Sequence, residues 1–255
     1  MKIAIVTGAS SGLGREMVLQ LGDRYGKLGE IWVIARREER LVELKGRVPV
    51  PLRILPLDLT KEAALYRLRK ELEKRNPEVV FLVNASGYGK IGPVGKVDLE
   101  EETGMVALNC EALCAVTHLV LPYMAKNGRI IQFASAAAFL PQPGFAVYAA
   151  TKAFVLSYSR ALNSELKPRG IRVTAVCPGP VRTEFFRIAE TTGTIPLYKR
   201  LAMASPKRVA ALAVRDSAAG KAVSVYGPLM KAFFLLSKIL PHGLMLTVME
   251  HLQGD

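Results

Sequence analysis

Short apolar runs recur along the chain, each followed by a polar turn and then by a stretch with helical spacing. Residues 3–6, 31–35, 52–57, 79–83, 129–134, 171–176 and 222–226 carry such runs and predict seven strands. Val79-Val-Phe-Leu-Val83 is apolar throughout, as a strand covered on both faces must be. Between the runs, apolar positions at helical spacing predict helices from the glycine-rich turn to about Leu21, over 38–45, over 61–75 and from Asp98 to about Met124. In the last of these Leu108, Leu113 and Val116 are expected core positions. Tyr148 opens another helix, and Ser205-Pro206 reads as a cap with proline at the first helical position. Residues 184–198 are less regular and carry Phe185, Phe186 and Ile188. Six strand-then-helix alternations predict one α/β domain, a doubly wound Rossmann-type parallel sheet wrapped by helices on both faces over residues 1–226. Residues 227–255 extend that domain as amphipathic helices.

Composition narrows the class. A chain of 255 residues that is half apolar can bury a substantial core as one domain. No repeat, low-complexity tract or linker divides it, and the first strand follows Met1-Lys2 directly, so no signal peptide is expected. Cys110, Cys114 and Cys177 are odd in number and form no close cluster with His118, His242 or His251. They read as reduced, buried thiols of a cytoplasmic protein, with no metal site. The formal net charge is +13. No recognition motif or aromatic-interleaved basic run accompanies it, so no nucleic-acid partner is expected.

The chemistry gathers at the strand ends. Thr7-Gly8-Ala9-Ser10-Ser11-Gly12-Leu13-Gly14 lies between the first strand and first helix, the context of a dinucleotide-binding turn. Gly8 permits the tight turn, Gly12 lets a diphosphate approach the backbone, and Gly14 lets the helix pack on the sheet. The free amides at the helix start then face phosphate. The second strand ends at Ala35, where an NAD site usually carries an acidic residue, and Arg36-Arg37 follow. Two guanidinium groups suit a 2′-phosphate, which points to NADP(H); the plainer alternative is that they merely begin a polar helix. Asp58, beside Leu59, can accept from an adenine amino group or cap the next helix together with Thr60. Asn84-Ala85-Ser86-Gly87 is a polar turn at the carboxyl end of the fourth strand, where open α/β sheets bind ligands.

Ser135 sits at the end of the fifth strand, and Tyr148 and Lys152 stand one helical turn apart on one face. A free tyrosine is a poor base at neutral pH, and an adjacent ammonium is expected to lower its pKa by about 2–3 units. The phenol could then exchange a proton with an alcohol oxygen that Ser135 holds by a hydrogen bond. Tyr-x-x-x-Lys by itself is common on ordinary surface helices; the glycine turn gives it weight.

Together these residues resemble the short-chain dehydrogenase/reductase family over about residues 1–226. Its Thr-Gly-x-x-x-Gly-x-Gly stands as Thr7 to Gly14, and its Ser, Tyr and Lys as Ser135, Tyr148 and Lys152. The resemblance implies that Asn109 holds a backbone carbonyl and a water in a proton relay. It also implies that Pro178-Gly179 lies beside the nicotinamide, with Val181 near it and Thr183 bonding the carboxamide. The family's Asn-Asn-Ala-Gly turn reads Asn84-Ala85-Ser86-Gly87, so bracing of the neighbouring strands is weakened or passed to Ser86. The implied activity is NADP(H)-dependent interconversion of a lipophilic ketone or aldehyde with its alcohol, in a homodimer. The alternative is a catalytically idle NADP-binding sensor or scaffold, against which the joint presence of Asn, Ser, Tyr and Lys argues.

The tail adds one open question. Residues 199–238 hold eight Lys/Arg against one acidic residue, and two short amphipathic helices are expected around Pro241-His242-Gly243. They can serve as a lid or dimer-packing element over the cleft, or as a peripheral anchor on anionic lipid. Phe233, Phe234, Leu236, Ile239 and Leu240 are expected to share the covering face, with Phe139, Phe145, Phe185 and Phe186 around the substrate.

Overall fold

In a computed structural model, residues 1–190 and 203–253 are described, with side chains through Thr247. Seven strands form one sheet: β1 (Lys2–Thr7), β2 (Glu30–Ala35), β3 (Leu52–Pro56), β4 (Glu78–Asn84), β5 (Met124–Phe133), β6 (Arg172–Cys177) and β7 (Val223–Val225). Their spatial order is β3-β2-β1-β4-β5-β6-β7, and every pairing is parallel. The connections therefore reverse direction between β1 and β4, and a crevice opens there at the carboxyl ends of the strands.

Alternation along each strand feeds two helical layers. From β1, Ala4 and Val6 enter one cluster and Ile3 and Ile5 the other; β2 divides Ile31 and Val33 from Trp32 and Ile34 in the same way. The first layer holds α1 (Gly12–Arg24), the short α2 (Glu38–Val42) and α8 (Pro206–Ala218), through Met17, Leu41 and Val209 among others. The second holds α3 (Glu62–Arg75), α5 (Ala112–Val120) and α6 (Ala146–Glu165), through Leu68, Val116 and Leu162. Because both faces are covered, the strands must be apolar at successive positions, which is why their runs are continuous.

Three local outcomes differ from the sequence pattern. The run 99–123 is continuous but not uniform: α4 (Leu99–Val106) passes through a π turn (Ala107–Glu111) into α5. The wider turn carries Asn109 at its centre, fully buried. Among the described residues this is the one helical stretch long and apolar enough to span a membrane, but Leu113, Val116 and Val120 give its apolar face to the core. Second, β5 begins at Met124 and its register on β4 shifts before Arg129. Asn127 takes a left-handed conformation (φ 62°) ahead of Gly128, so the turn-forming pair interrupts the strand and does not precede it. Third, the helix expected over 38–45 closes at Val42.

After β6, α7 spans Glu184–Ala189; residues 191–198 of the irregular stretch lie outside the described residues. The tail forms α9 (Pro228–Ile239) and α10 (His242–Gln253), broken at the Leu240-Pro241 pair. On α9, Met230, Phe233 and Phe234 pack inward, while Leu235, Leu236 and Ile239 are exposed. Positions 230, 233, 234 and 237 share a face at helical spacing, and 236 and 239 fall on the opposite one. The expected covering face is corrected accordingly.

Candidate active site

One cavity of about 1520 Å³ runs along the carboxyl ends of the strands. A single ligand site typically occupies roughly 300–1,000 Å³, so this one has room for a dinucleotide and a substrate together. Gly8, Ser10, Ser11, Gly12, Leu13 and Gly14 form its floor at the end of β1. Arg36, Arg37, Asp58 and Leu59 border it at the ends of β2 and β3, Ala85 and Ser86 at β4, and Pro178, Gly179, Val181 and Thr183 at β6. Ser135, Tyr148 and Lys152 stand at its far end.

The glycines of the turn are required by close packing within the chain. Gly8 has φ +66°, and a Cβ there would lie 2.6 Å from the Ala85 carbonyl oxygen. A Cβ on Gly14 would collide with the Gly8 carbonyl. At Gly12 (φ +52°) a Cβ would point at Thr183, 3.3 Å from its side chain. The turn is thus closed against β4 on one side and kept narrow under the loop after β6 on the other. Thr7 Oγ1 accepts from the Ala85 and Ser86 amides (3.1 and 3.2 Å), tying β1 to β4 beneath the site.

Two expectations about this half need correction. Asn84 does not line the cavity: it is buried, and its Nδ2 donates to Thr117 Oγ1 at 3.0 Å, below the floor. Bracing of the strands therefore runs through Asn84, Thr117 and Gln132, whose Nε2 also donates to Thr117, and through Ser86 only by its backbone. The oxygens Asn84 Oδ1 and Gln132 Oε1 find no partner there. Asp58 accepts from the Thr60 amide and hydroxyl (3.1 and 2.8 Å), a local turn two residues short of the helix. Lys61, not Asp58, is the residue that precedes α3. Although burial pushes the other way, the Thr60 bonds and the Arg36 charge leave its carboxyl below the usual range.

At the far end, Ser135 leaves β5 in extended conformation and its Oγ accepts from the Ala137 amide, which opens a single 3-10 turn (Ala136–Phe139). Tyr148 and Lys152 share the inner face of α6 and both are buried. Lys152 Nζ donates to the Phe133 carbonyl at 2.8 Å and sits 5.6 Å from the centre of the Tyr148 ring. Burial pushes Tyr148 up to about 12, against the hydrogen bond from Ser135. Burial also lowers Lys152 to about 8. The expected depression of the tyrosine by the lysine is not what the chain's own residues produce: desolvation prevails, and the ammonium is committed to a backbone carbonyl.

Asn109 lies behind this group and outside the cavity wall. Its Nδ2 donates to the Tyr88 carbonyl (2.9 Å) and to Thr151 Oγ1 (3.0 Å), and its Oδ1 accepts from the Tyr88 amide (3.1 Å). It clamps the segment after β4 to the tyrosine helix. Aromatic rings complete this end: Phe145 stacks on Tyr148 at 4.3 Å and Phe185 packs on it at 5.3 Å. Phe186 lines the cavity as expected, but Phe139 stands behind the wall, packed on Phe234 at 4.7 Å. Leu229, Met230 and Phe233 of α9 form a wall segment. Tyr88, Met230 and Glu184 also line the cavity and were not singled out from the sequence; nothing in their spacing marks them.

Comparison with known proteins identifies the family. The family model described as short chain dehydrogenase matches residues 2–192. Sulfoacetaldehyde reductase 2 of Chromohalobacter salexigens is 36% identical over 189 residues, 72% of this chain and 74% of that one. A short-chain dehydrogenase from Sphingobium yanoikuyae, solved in complex with NADPH, has a TM-score of 0.81 at 28% identity over 96% of this chain and 95% of that one. The bulky-bulky ketone specific alcohol dehydrogenase of Comamonas testosteroni follows at 0.74 and 25% identity, over 96% and 94%. The chain belongs to the short-chain dehydrogenase family and is an oxidoreductase of the nicotinamide-dependent kind.

Proposed function

We propose that the protein is an NADP(H)-dependent reductase of lipophilic ketones or aldehydes, with Tyr148 as the proton donor. The observation that carries this reading is the single cavity that joins the glycine turn to Ser135, Tyr148 and Lys152 beside a wall of aromatic rings. On the cofactor side, Arg36 is exposed at the rim and Arg37 bonds Ser10 Oγ of the glycine turn (3.3 Å), with Ala35 in place of an acidic residue. Both guanidinium groups suit a 2′-phosphate. The nicotinamide, when bound, supplies the hydride.

With a pKa pushed up to about 12, Tyr148 is protonated at neutral pH and is poised to give its proton. An alkoxide oxygen is a stronger base than a phenolate, so the transfer to a reduced carbonyl runs downhill. Ser135 donates to the same oxygen and fixes its position, and Lys152 places a positive charge under the ring as negative charge develops on the phenol. Asn109 keeps Tyr88 and Thr151 in register with Tyr148. Phe145, Phe185, Met230 and Phe233 offer apolar surface to a bulky substrate, closer in kind to the ketones of the Comamonas enzyme than to the small anionic aldehyde named for the Chromohalobacter relative.

The test is NADPH oxidation with hydrophobic ketones, repeated on Tyr148→Phe. That substitution keeps the ring and removes the proton, so turnover should fall about 10²–10⁴-fold with NADPH affinity nearly unchanged. A variant with a tenth of the wild-type rate would disqualify Tyr148, and no turnover on any ketone would favour the idle sensor.

A further inference from the structure

Arg37 is already engaged. Its Nη2 lies 2.9 Å from Glu184 Oε2 and 3.3 Å from Ser10 Oγ. The same carboxylate stands 3.7 Å from Arg187 and 3.9 Å from Arg40. Glu184 is the first residue of α7, far along the chain from Arg37, and the hydrogen bond from Arg37 is the leading cause that holds its carboxyl below the usual range. Its neighbours give the contact reach. Thr183 packs over Gly12, and Phe185 packs on Tyr148, so the segment carrying Glu184 stretches from the phosphate-facing turn to the tyrosine.

A phosphate monoester carries roughly −1.5 to −2 charge at neutral pH. A phosphate and a carboxylate held close to one guanidinium repel each other, and Glu184 already occupies the Nη2 donor of Arg37. We propose that Glu184 is a specificity-determining residue for the cofactor's 2′ substituent: its carboxylate competes with a 2′-phosphate for Arg37 and yields when that phosphate binds. A nucleotide with a free 2′-hydroxyl leaves the ion pair closed. Glu184 therefore narrows the advantage that the arginines give to the phosphorylated cofactor, and it links the 2′ substituent to the segment that covers Tyr148. This inference rests on the NADP(H) reading and deepens it.

Equilibrium binding of NADP⁺ and NAD⁺ to the full chain by calorimetry tests it without turnover, with adenosine 2′,5′-bisphosphate and adenosine 5′-monophosphate as shorter probes. Glu184→Gln keeps the shape and hydrogen bonding and removes the charge. The ratio of the NAD⁺ to the NADP⁺ dissociation constant should rise about three- to tenfold, with NAD⁺ binding changed less than about twofold. Arg37→Ala should lower the ratio, and in the double variant the gain from Glu184→Gln should vanish. Glu184→Ala provides a second variant, and melting curves confirm that each is folded. An unchanged ratio in Glu184→Gln, with Arg37→Ala still lowering it, overturns the competition and leaves the cofactor reading standing. A lowered ratio in Glu184→Gln overturns it too, because Glu184 would then be orienting Arg37 for the phosphate. If the wild type shows no preference for the 2′-phosphate and neither Arg37→Ala nor Glu184→Gln moves the ratio, both readings fail.

Discussion

Around the glycine turn the cavity wall is backbone against backbone, whereas beside α9 it is side chain against side chain. Gly8 meets the carbonyl of Ala85 and Gly14 the carbonyl of Gly8, and the whole turn is pinned by Thr7 to two amides of the next strand. Relief of either contact requires a shift of main chain, not of a side chain. On the substrate side, Gly179 meets the end of Met230, and the partly buried rings of Phe233 and Phe234 pack on the buried Phe139. Such a wall can be repacked by changing one residue at a time. The difference explains how one fold can hold a cofactor steadily while the substrate varies: rigidity comes from the main chain on one side and adaptability from side chains on the other.

The largest expected effect is on the rigid side. Gly8→Ala would place a Cβ against a carbonyl at a φ that alanine rarely adopts, so both clash and strain follow. Unfolding free energy should fall by about 2–4 kcal/mol and nucleotide binding should be lost. Denaturant unfolding and calorimetry measure the two. Wild-type NADPH affinity in this variant would break the distinction between the walls.

Removing the α9 part of the adaptable wall should act on substrate choice. Truncation after Gly227 deletes α9 and α10 and uncovers Phe139 and Val225 of the cluster beneath. Use of large lipophilic ketones should fall about tenfold more than use of small ones, while NADPH affinity stays within about twofold. The exposed Leu235, Leu236 and Ile239 face the other way, near Lys231 and Lys238. If that face sits on anionic lipid, vesicle cosedimentation that salt reverses will be lost with the truncation. If neither substrate profile nor vesicle binding changes, the tail is subunit packing and the oligomer size will change instead.

Lys152 lines the cavity at the end away from the glycine turn, with its ammonium on the Phe133 carbonyl. Its folded pKa is depressed to about 8 from an ordinary 10.5. Between those values the unfolded chain binds more protons than the folded one, so folding stability rises as pH climbs from 8 towards 10.5 and falls as pH drops through 8. Lys152→Met lacks this dependence. Wild type should therefore gain on the variant by on the order of 1–3 kcal/mol across that window, read as the difference between their melting temperatures at each pH. Parallel curves would mean that the lysine is not desolvated.

How far each wall could be read from the sequence follows the same division. The glycine turn was legible because backbone geometry is written locally: three glycines between a strand and a helix admit few other structures. The strands were legible because burial on both faces demands apolar runs. Burial itself was not, and so Lys152 was expected to depress Tyr148 when desolvation raises it. The π turn at Asn109 is invisible because each of its residues is tolerated inside an ordinary α-helix, and none marks the wider turn. The Glu184–Arg37 pair joins residues 147 apart, and no periodicity reports such a contact. On α9 the apolar positions run almost all round the helix, so the pattern could not say which of them face the cavity.

The smallest expected effect sharpens the comparison most. A Cβ on Gly179 would lie 2.7 Å from the sulfur of Met230, formally as tight as the contact at Gly8. The obstacle is a flexible thioether, however, and Gly179 is not among the glycines with positive φ, so alanine fits its backbone. Methionine turns away at small cost. Gly179→Ala should therefore change unfolding free energy by less than about 1 kcal/mol. Its trace should be in the substrate: KM for a bulky ketone should shift by up to about threefold, because Met230 and Phe233 lie on the same wall. Two glycines with the same nominal overlap would thus differ several-fold in cost. If Gly179→Ala proved as damaging as Gly8→Ala, the loop after β6 would be as rigid as the glycine turn, and substrate breadth would have to come from somewhere other than this wall.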